Sequence, residues 1–208
     1  MGGDFYDLFE SGGRGWTVVM GDVCGKGPDA AAITALARYT LRAAAMRERL
    51  PSRSLGLLNE ALLRQRDDRR FCTVAYAYLE PMAEGARIGF ASGGHPLPLL
   101  LRSGDGGREL GAPGTLLGIV PDPALHDDSV RLQPGDALVL YTDGVTDAGA
   151  PARVWSPPEL AAAVGATAGV EADAIAERVL RAALGATAGE PRDDIAIIVL
   201  KVPETAAA

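Results

Sequence analysis

Along the chain, apolar and polar positions change period several times. Asp4 to Glu10 carries Phe5, Tyr6, Leu8 and Phe9, and Trp16 to Met20 is a second apolar run. Between them lies Ser11-Gly12-Gly13-Arg14-Gly15, so the pattern predicts a hairpin. A turn centred on Gly13 puts Asp4 opposite Asp22, with both side chains on one face of the pair. A one-residue slip would separate them. Pro28 then opens a helical pattern with Ile33, Leu36, Ala37, Thr40, Leu41 and Ala44 at helical spacing. A second helix follows Ser52, with Leu55, Leu58 and Leu62 on one side. Strands are predicted at Cys72 to Leu79, Ala86 to Ala91, Pro98 to Arg102, Ser129 to Leu132 and Ala137 to Tyr141. Ser156-Pro157-Pro158-Glu159 has the form of a capping box and starts a helix. Another helix runs from about Ala172 to a terminator at Gly185, and Ile195 to Val202 is a last strand. Short turns join most neighbouring strands, which favours antiparallel sheets, and the helices come in pairs that can cover sheet faces. The fold class is therefore α+β.

Length and composition narrow the picture without deciding it. A chain of 208 residues, 48% apolar and 23% charged, suits one globular domain. We assign residues 1–203 to that domain and 204–208 to a disordered tail. The longest apolar runs fall far short of the roughly 20 residues that span a bilayer. The acidic start lacks the basic segment and apolar run of a secretory leader. Cys24 and Cys72 have no C-x-x-C spacing and read as free thiols of a reducing, cytoplasmic compartment. A net charge of −7 argues against a nucleic-acid backbone as partner and is compatible with a cation.

The candidate chemistry lies in the aspartates. Val18-Val19-Met20-Gly21 ends at Asp22, Leu138-Val139-Leu140-Tyr141-Thr142 ends at Asp143, and Asp193-Asp194 opens the last strand. If that strand runs antiparallel to the others, the three gather at one end of the sheets, and Asp4 joins them through the hairpin. Taken singly, each is an ordinary turn or cap residue, as in Asp143-Gly144. Taken together, four clustered carboxylates call for cations, and an all-oxygen ligand set favours Mg²⁺ or Mn²⁺. His95 and His126 are isolated, so no zinc cluster exists. His95 between Gly94 and Pro96 is first a structural turn histidine and second a proton donor to a leaving group. Lys26 is a solvated lysine before it is a phosphate contact, and Asp7 and Asp147 lie behind the ligands or in solvent. Ser92 lacks the G-x-S-x-G setting of a nucleophile. Gly21 to Gly27 fails as a phosphate-binding loop because the spacing is one residue short and Gly27 replaces the needed Ser or Thr.

Five motifs occur in order: Gly2-Gly3-Asp4-Phe5-Tyr6-Asp7, Gly21-Asp22-Val23-Cys24-Gly25-Lys26-Gly27, Gly94-His95-Pro96, Tyr141-Thr142-Asp143-Gly144-Val145-Thr146-Asp147-Ala148 and Asp193-Asp194-Ile195-Ala196. Over nearly the whole chain they resemble the metal-dependent protein phosphatases, in the bacterial branch of the stage II sporulation protein E and stress-response phosphatases. The resemblance implies a four-layer α-β-β-α sandwich with antiparallel sheets. It implies hydrolysis of phosphoserine or phosphothreonine by a water bridging two Mn²⁺ or Mg²⁺ ions. By motif position, Asp22 would bridge both metals, the carbonyl of Val23 would bind one, Asp143 and Asp193 would hold the other, and Asp4 would act at the second. Asp193 rather than Asp194 is the matching ligand. The implied substrate is a phosphorylated anti-sigma-factor antagonist in a partner-switching pathway, with a sensor domain upstream. Members usually carry a strand before the Gly-Gly-Asp motif. None is seen here, so the chain reads as a fragment of a longer protein. The rival reading is a module of the same fold that binds a phosphoprotein and has lost competent metal binding.

Overall fold

The computed structural model describes residues 3–13, 15–65, 71–102, 107–167, 169–186, 191 and 193–204. Gly2 of the first motif, Arg14 of the expected turn and residues 205–208 of the expected tail lie outside the described residues. The chain divides into two compact units. One comprises Met1–Pro81, Arg87–Leu97 and Gly111–Val130; the other comprises Met82–Ala86, Pro98–Leu110 and Arg131–Ala208.

The first unit begins with the hairpin, strands β1 (Asp4–Ser11) and β2 (Gly15–Val23). Its register pairs Asp4 with Asp22 and Ser11 with Gly15, the pairing expected for a turn centred on Gly13. Gly13 adopts φ +96°, a conformation that a side chain would resist. Helices α1 (Pro28–Ala45) and α2 (Pro51–Leu63) follow, each with proline in its first turn. The buried stripe of α1 is Ala30, Ile33, Ala37, Leu41 and Ala44, the spacing that puts one helix face on a core. That face meets Phe5, Phe9, Val19 and Val23 of the hairpin and Cys72, Val74 and Tyr76 of strand β3 (Cys72–Pro81). A helical pair thus covers one sheet face, as the pattern predicted.

Alternation explains the placement of Asp7. It shares the inward face of β1 with Phe5 and Phe9 and is only 5% exposed. It is therefore neither solvated nor beside Asp4. Arg42 of α1 closes a two-pronged bond on it, Nε and Nη2 each donating at 2.7 Å, and Arg38 Nε lies at 3.5 Å. Burial pushes the Asp7 carboxyl up, but the hydrogen bonds and charges of the two arginines prevail and hold it below its ordinary value.

Strands β4 (Ala86–Gly93), β5 (Leu99–Leu101), β6 (Gly107–Glu109), β7 (Asp128–Leu132), β8 (Ala137–Tyr141) and β9 (Ile197–Lys201) complete two sheets. Their orders are β1-β2-β3-β4-β7 and β6-β5-β8-β9. In the second unit, β8 is buried along its whole length and pairs antiparallel with both β5 and β9. Two helices follow the one-turn helix α3 (Asp143–Thr146): α4 (Pro157–Val164), which has the expected capping box, and α5 (Ala172–Gly185). Leu160, Val164, Ile175, Val179 and Ala183 of this pair bury against Leu99, Leu101, Val139 and Tyr141. Among the described residues, no helix is long and apolar enough to cross a membrane.

Some elements differ from the pattern reading. The last strand begins at Ile197, two residues after the start of its apolar run; just before it, the backbones of Asp194 and Ala196 bond to Thr142. The short β6 lacked an apolar pattern and was not anticipated. Glu204, first residue of the expected tail, accepts a hydrogen bond from the Gly169 N–H at 2.6 Å.

Candidate metal centre

The first unit supplies three of the expected ligands. Asp4 and Asp22 are direct cross-strand partners, which puts their Cβ atoms about 5 Å apart on one face. Both are half-buried. The Val23 N–H donates to the Gly3 carbonyl at 3.1 Å, tying the start of the chain to the end of β2. A Cβ on Gly3 would overlap the Val23 carbonyl oxygen and Asp22 Oδ1, so only glycine lets the backbone pass there. The structure thus brings together Asp4, Asp22 and the carbonyl of Val23.

Behind this set, β2 pairs with β3, opposing Asp22 to Thr73 and Val23 to Cys72. The Cys72 thiol is pushed up to about 12, mainly by burial and further by the negative charge of Asp22. Both cysteines are free; Cys24 is exposed and Cys72 buried. Thr73 Oγ1 lies 2.8 Å from His95 Nδ1. Ser92 is fully buried, and its hydroxyl donates to the His95 carbonyl at 2.7 Å, so it is spent as a structural donor. Lys26 and His126 are exposed.

The second unit places Asp143 and Asp193 by other means. The chain leaves β8 at Thr142, which is buried, and turns at once into α3. The Thr142 N–H donates to the Ala196 carbonyl at 3.1 Å. Its Oγ1 accepts from the Ala196 N–H at 3.0 Å and donates to the Asp194 carbonyl at 3.4 Å. One threonine therefore fixes the segment that carries Asp193 beside the start of α3. A Cβ on Gly144 would collide with the Asp194 carbonyl, so this approach also needs glycine. Asp143, Gly144, Asp147, Ala150 and Asp193 line an open cavity of about 290 Å³. Asp193 lines it, while Asp194 contributes its backbone carbonyl to Thr142.

The Asp143 carboxyl is raised above its ordinary value, first by burial and then by the charges of Asp193 and Asp147. A site that disfavours its own negative charges while offering only oxygen donors has the chemistry of a hard divalent cation site. The residues therefore fit Mg²⁺ or Mn²⁺ in donor type. Among the described residues, no three His, Cys, Asp or Glu side chains already form a metal cage. Thr142 and Thr73 were not anticipated. Each reads in sequence as an ordinary strand residue, and its role comes from a partner distant along the chain.

Comparison with known proteins identifies the family and the fold. The Stage II sporulation protein E (SpoIIE) family matches residues 12–203, a span that includes Asp22, Asp143 and Asp193 and leaves Asp4 outside. The phosphoserine phosphatase RsbU of Bacillus subtilis is 30% identical over 148 residues, covering 71% of this chain and 43% of that protein. Protein IcfG of Synechocystis is 27% identical over 179 residues, covering 73% of this chain and 28% of the relative. The chain thus spans less than half the length of these relatives. Among solved structures, the PP2C phosphatase domain of Bacillus subtilis SpoIIE superposes with a TM-score of 0.78 at 20% identity, covering 96% of this chain and 58% of that one. The RsbU and RsbW domains of a Mycobacterium tuberculosis protein give 0.77 at 23% identity, covering 99% and 56%. A mixed α/β fold with antiparallel sheets and a family match over most of the sequence lead to one conclusion: the chain belongs to the stage II sporulation protein E family and has the PP2C phosphatase fold.

Proposed function

We propose that this chain is the catalytic domain of a serine/threonine protein phosphatase that requires two divalent cations, Mn²⁺ or Mg²⁺. The observation that carries the reading is the cavity lined by Asp143, Asp147 and Asp193, where burial first and the charges of Asp193 and Asp147 next raise the Asp143 carboxyl, a cost that a cation would relieve. Asp4, Asp22 and the Val23 carbonyl are the ligands offered by one unit, and Asp143 and Asp193 those offered by the other. When bound, the cations supply the charge that activates a water and offsets developing charge on the phosphoryl oxygens. The protein's own part is to hold carboxylates in place before the cations arrive. Ser92 is not a competing nucleophile, since it is buried and its hydroxyl is committed to the His95 carbonyl. Relationship to RsbU supports a phosphorylated protein as substrate; we propose an anti-sigma-factor antagonist in a cytoplasmic partner-switching pathway, with a sensor domain elsewhere in the full-length protein.

The test is turnover of para-nitrophenyl phosphate and of a phosphoserine peptide by the purified chain. We expect release of phosphate with Mn²⁺ or Mg²⁺ and none after EDTA. Turnover unchanged by EDTA would refute cation dependence. Binding of the phosphopeptide without any turnover would favour the non-catalytic module instead.

A further inference from the structure

We propose that Thr73 and His95 form a positioning pair for Asp22, an inference that rests on reading Asp22 as a cation ligand. Thr73 stands directly opposite Asp22 in the β2–β3 register. Such partners lie on one face with Cβ atoms about 5 Å apart, within reach of a hydroxyl and a carboxylate. Thr73 Oγ1 is also 2.8 Å from His95 Nδ1.

The loop carrying His95 is built to hold that ring still. His95 is 4% exposed. Ser92 Oγ donates to the His95 carbonyl at 2.7 Å. Gly94 bridges to Val74, the residue after Thr73. Gly94 also adopts φ +74° and sits so close to Leu116 that a Cβ would press on it. A buried ring on a loop held at its backbone, turned to a hydroxyl that stands opposite Asp22, is better suited to orienting that hydroxyl than to exchanging protons with solvent.

The bond between Thr73 and His95 is compatible with either donor. In the direction we assign, His95 Nδ1–H donates to Thr73 Oγ1, which leaves the threonine proton to face the Asp22 carboxylate. A carboxylate held by a hydroxyl has lost part of its rotational freedom before the cation binds, and hydrogen-bonded outer partners of this kind sharpen metal affinity. This gives His95 a role other than turn residue or proton donor to the leaving group.

Calorimetric titration of Mn²⁺ alone into the metal-stripped chain tests the pair, with thermal unfolding of the stripped protein alongside. Thr73→Val keeps shape and removes the hydroxyl, and it should weaken Mn²⁺ binding by about 10- to 100-fold, the usual cost of losing an outer partner. Thr73→Ser, which restores the hydroxyl, should return affinity to within a few-fold of the parent. His95→Asn can offer an amide N–H near the Nδ1 position, whereas His95→Gln offers it near Nε2. The first should bind Mn²⁺ more tightly than the second, a comparison that decides the matter even if Thr73→Val does not fold. Parent-like binding by Thr73→Val, equal weakness in Thr73→Ser and Thr73→Val, or equal affinities of the two His95 variants would overturn the proposal. A parent that turns over with Mn²⁺ while Thr73→Val binds normally sinks only this pair. A parent that binds no Mn²⁺ sinks the cation reading as well.

Discussion

The two carboxylate sets are held by contrasting means. In the first unit, Asp4 and Asp22 sit at the end of a regular antiparallel ladder that continues to Ser11 and Gly15, and β3 extends the ladder on the far side of β2. Their placement is shared among many backbone bonds. In the second unit, Asp143 starts a single turn of helix, and Asp193 lies on an irregular segment joined to it through Thr142. There the placement is concentrated in one residue. A ladder tolerates the loss of a side chain away from its ligands, whereas a single stitch does not. The ladder set should therefore be sensitive at its ligands and at the side chains that face them, such as Thr73, and the stitched set also at the residue that holds its backbone.

The largest effect should come from the ladder set's central ligand. Asp22→Asn conserves shape and leaves the register intact, so the fold should survive. Turnover with Mn²⁺ should drop by about a thousandfold, matching the several kcal/mol that metal-borne charge supplies in a transition state. Asp194→Asn should be far milder, within about threefold, since Asp194 acts through its backbone carbonyl and side chains exposed in this way usually matter little. Steady-state kinetics with circular dichroism as a fold control measures both. Equal losses at Asp193 and Asp194 would contradict the ligand assignment.

The contrast in support is sharpened by removing one buried hydroxyl from each set. Thr142→Val leaves the Ala196 N–H without its acceptor, a cost of about 1–3 kcal/mol. It also frees the segment carrying Asp193. Turnover per folded molecule should fall by about 10- to 100-fold, as for a lost outer partner. Thr17→Val removes an equally buried hydroxyl from β2, one bonded to Tyr76 at 3.3 Å. It should cost stability by about 1 kcal/mol and leave turnover unchanged, because the ladder still fixes Asp22. Urea unfolding and kinetics on the two variants separate stability from activity. If Thr17→Val lowered turnover as much as Thr142→Val, the ladder would not be the more tolerant support.

What could be read from sequence follows the same contrast. The hairpin register was legible because Gly13 marks its centre and the alternation of Phe5, Asp7 and Phe9 fixes its inward face. Every bond involved is local. The pairing of Asp22 with Thr73 was not legible, because β3 follows two intervening helices and nothing local sets its register. In the other unit, the apolar run from Ile195 implied a strand starting there. The ladder starts later, and just before it Thr142 takes up the backbone of Asp194 and Ala196. The aspartates themselves stood out by type and position at strand ends. The residues that hold them did not, since a threonine at a strand end carries no mark of its distant partner.

Asp7 offers a smaller effect that should spare both sets. Its folded pKa lies below the ordinary value of 3.8, so its pairing stabilises the fold above that pH and is lost as pH falls through the lower folded value. Asp7→Asn removes charge-assisted bonds from Arg42, whose side chain is 43% exposed, and should cost about 2 kcal/mol at pH 7. The difference from the parent should shrink progressively below about pH 4, where Asp7 of the unfolded chain begins to protonate while the folded carboxyl is still ionised. Denaturant titrations at pH 7 and at acid pH check the trend. A pH-independent difference would mean that Asp7 acts by packing and not by charge.

The smallest effect has the opposite sign and concerns the stitched set alone. Burial and the charges of Asp193 and Asp147 raise the Asp143 carboxyl, so the folded protein without cations disfavours ionised Asp143 relative to the unfolded chain. A raised folded pKa in an acid means that stability is lost as pH rises through the range where Asp143 ionises, and is regained on acidification. Asp143→Asn keeps the shape and removes the repulsion. In EDTA at pH 7 the variant should be the more stable by about 0.5 kcal/mol, the scale of a solvent-screened charge pair. That advantage should fade as pH falls through the raised pKa. With saturating Mn²⁺ the order should reverse, since the parent gains binding free energy that the variant lacks. Urea unfolding at two pH values, with EDTA and with Mn²⁺, reads all four comparisons. A less stable variant in EDTA would show that Asp143 serves the fold more than it burdens it. The stitched set would then be a structural cluster rather than one whose repulsion awaits a cation.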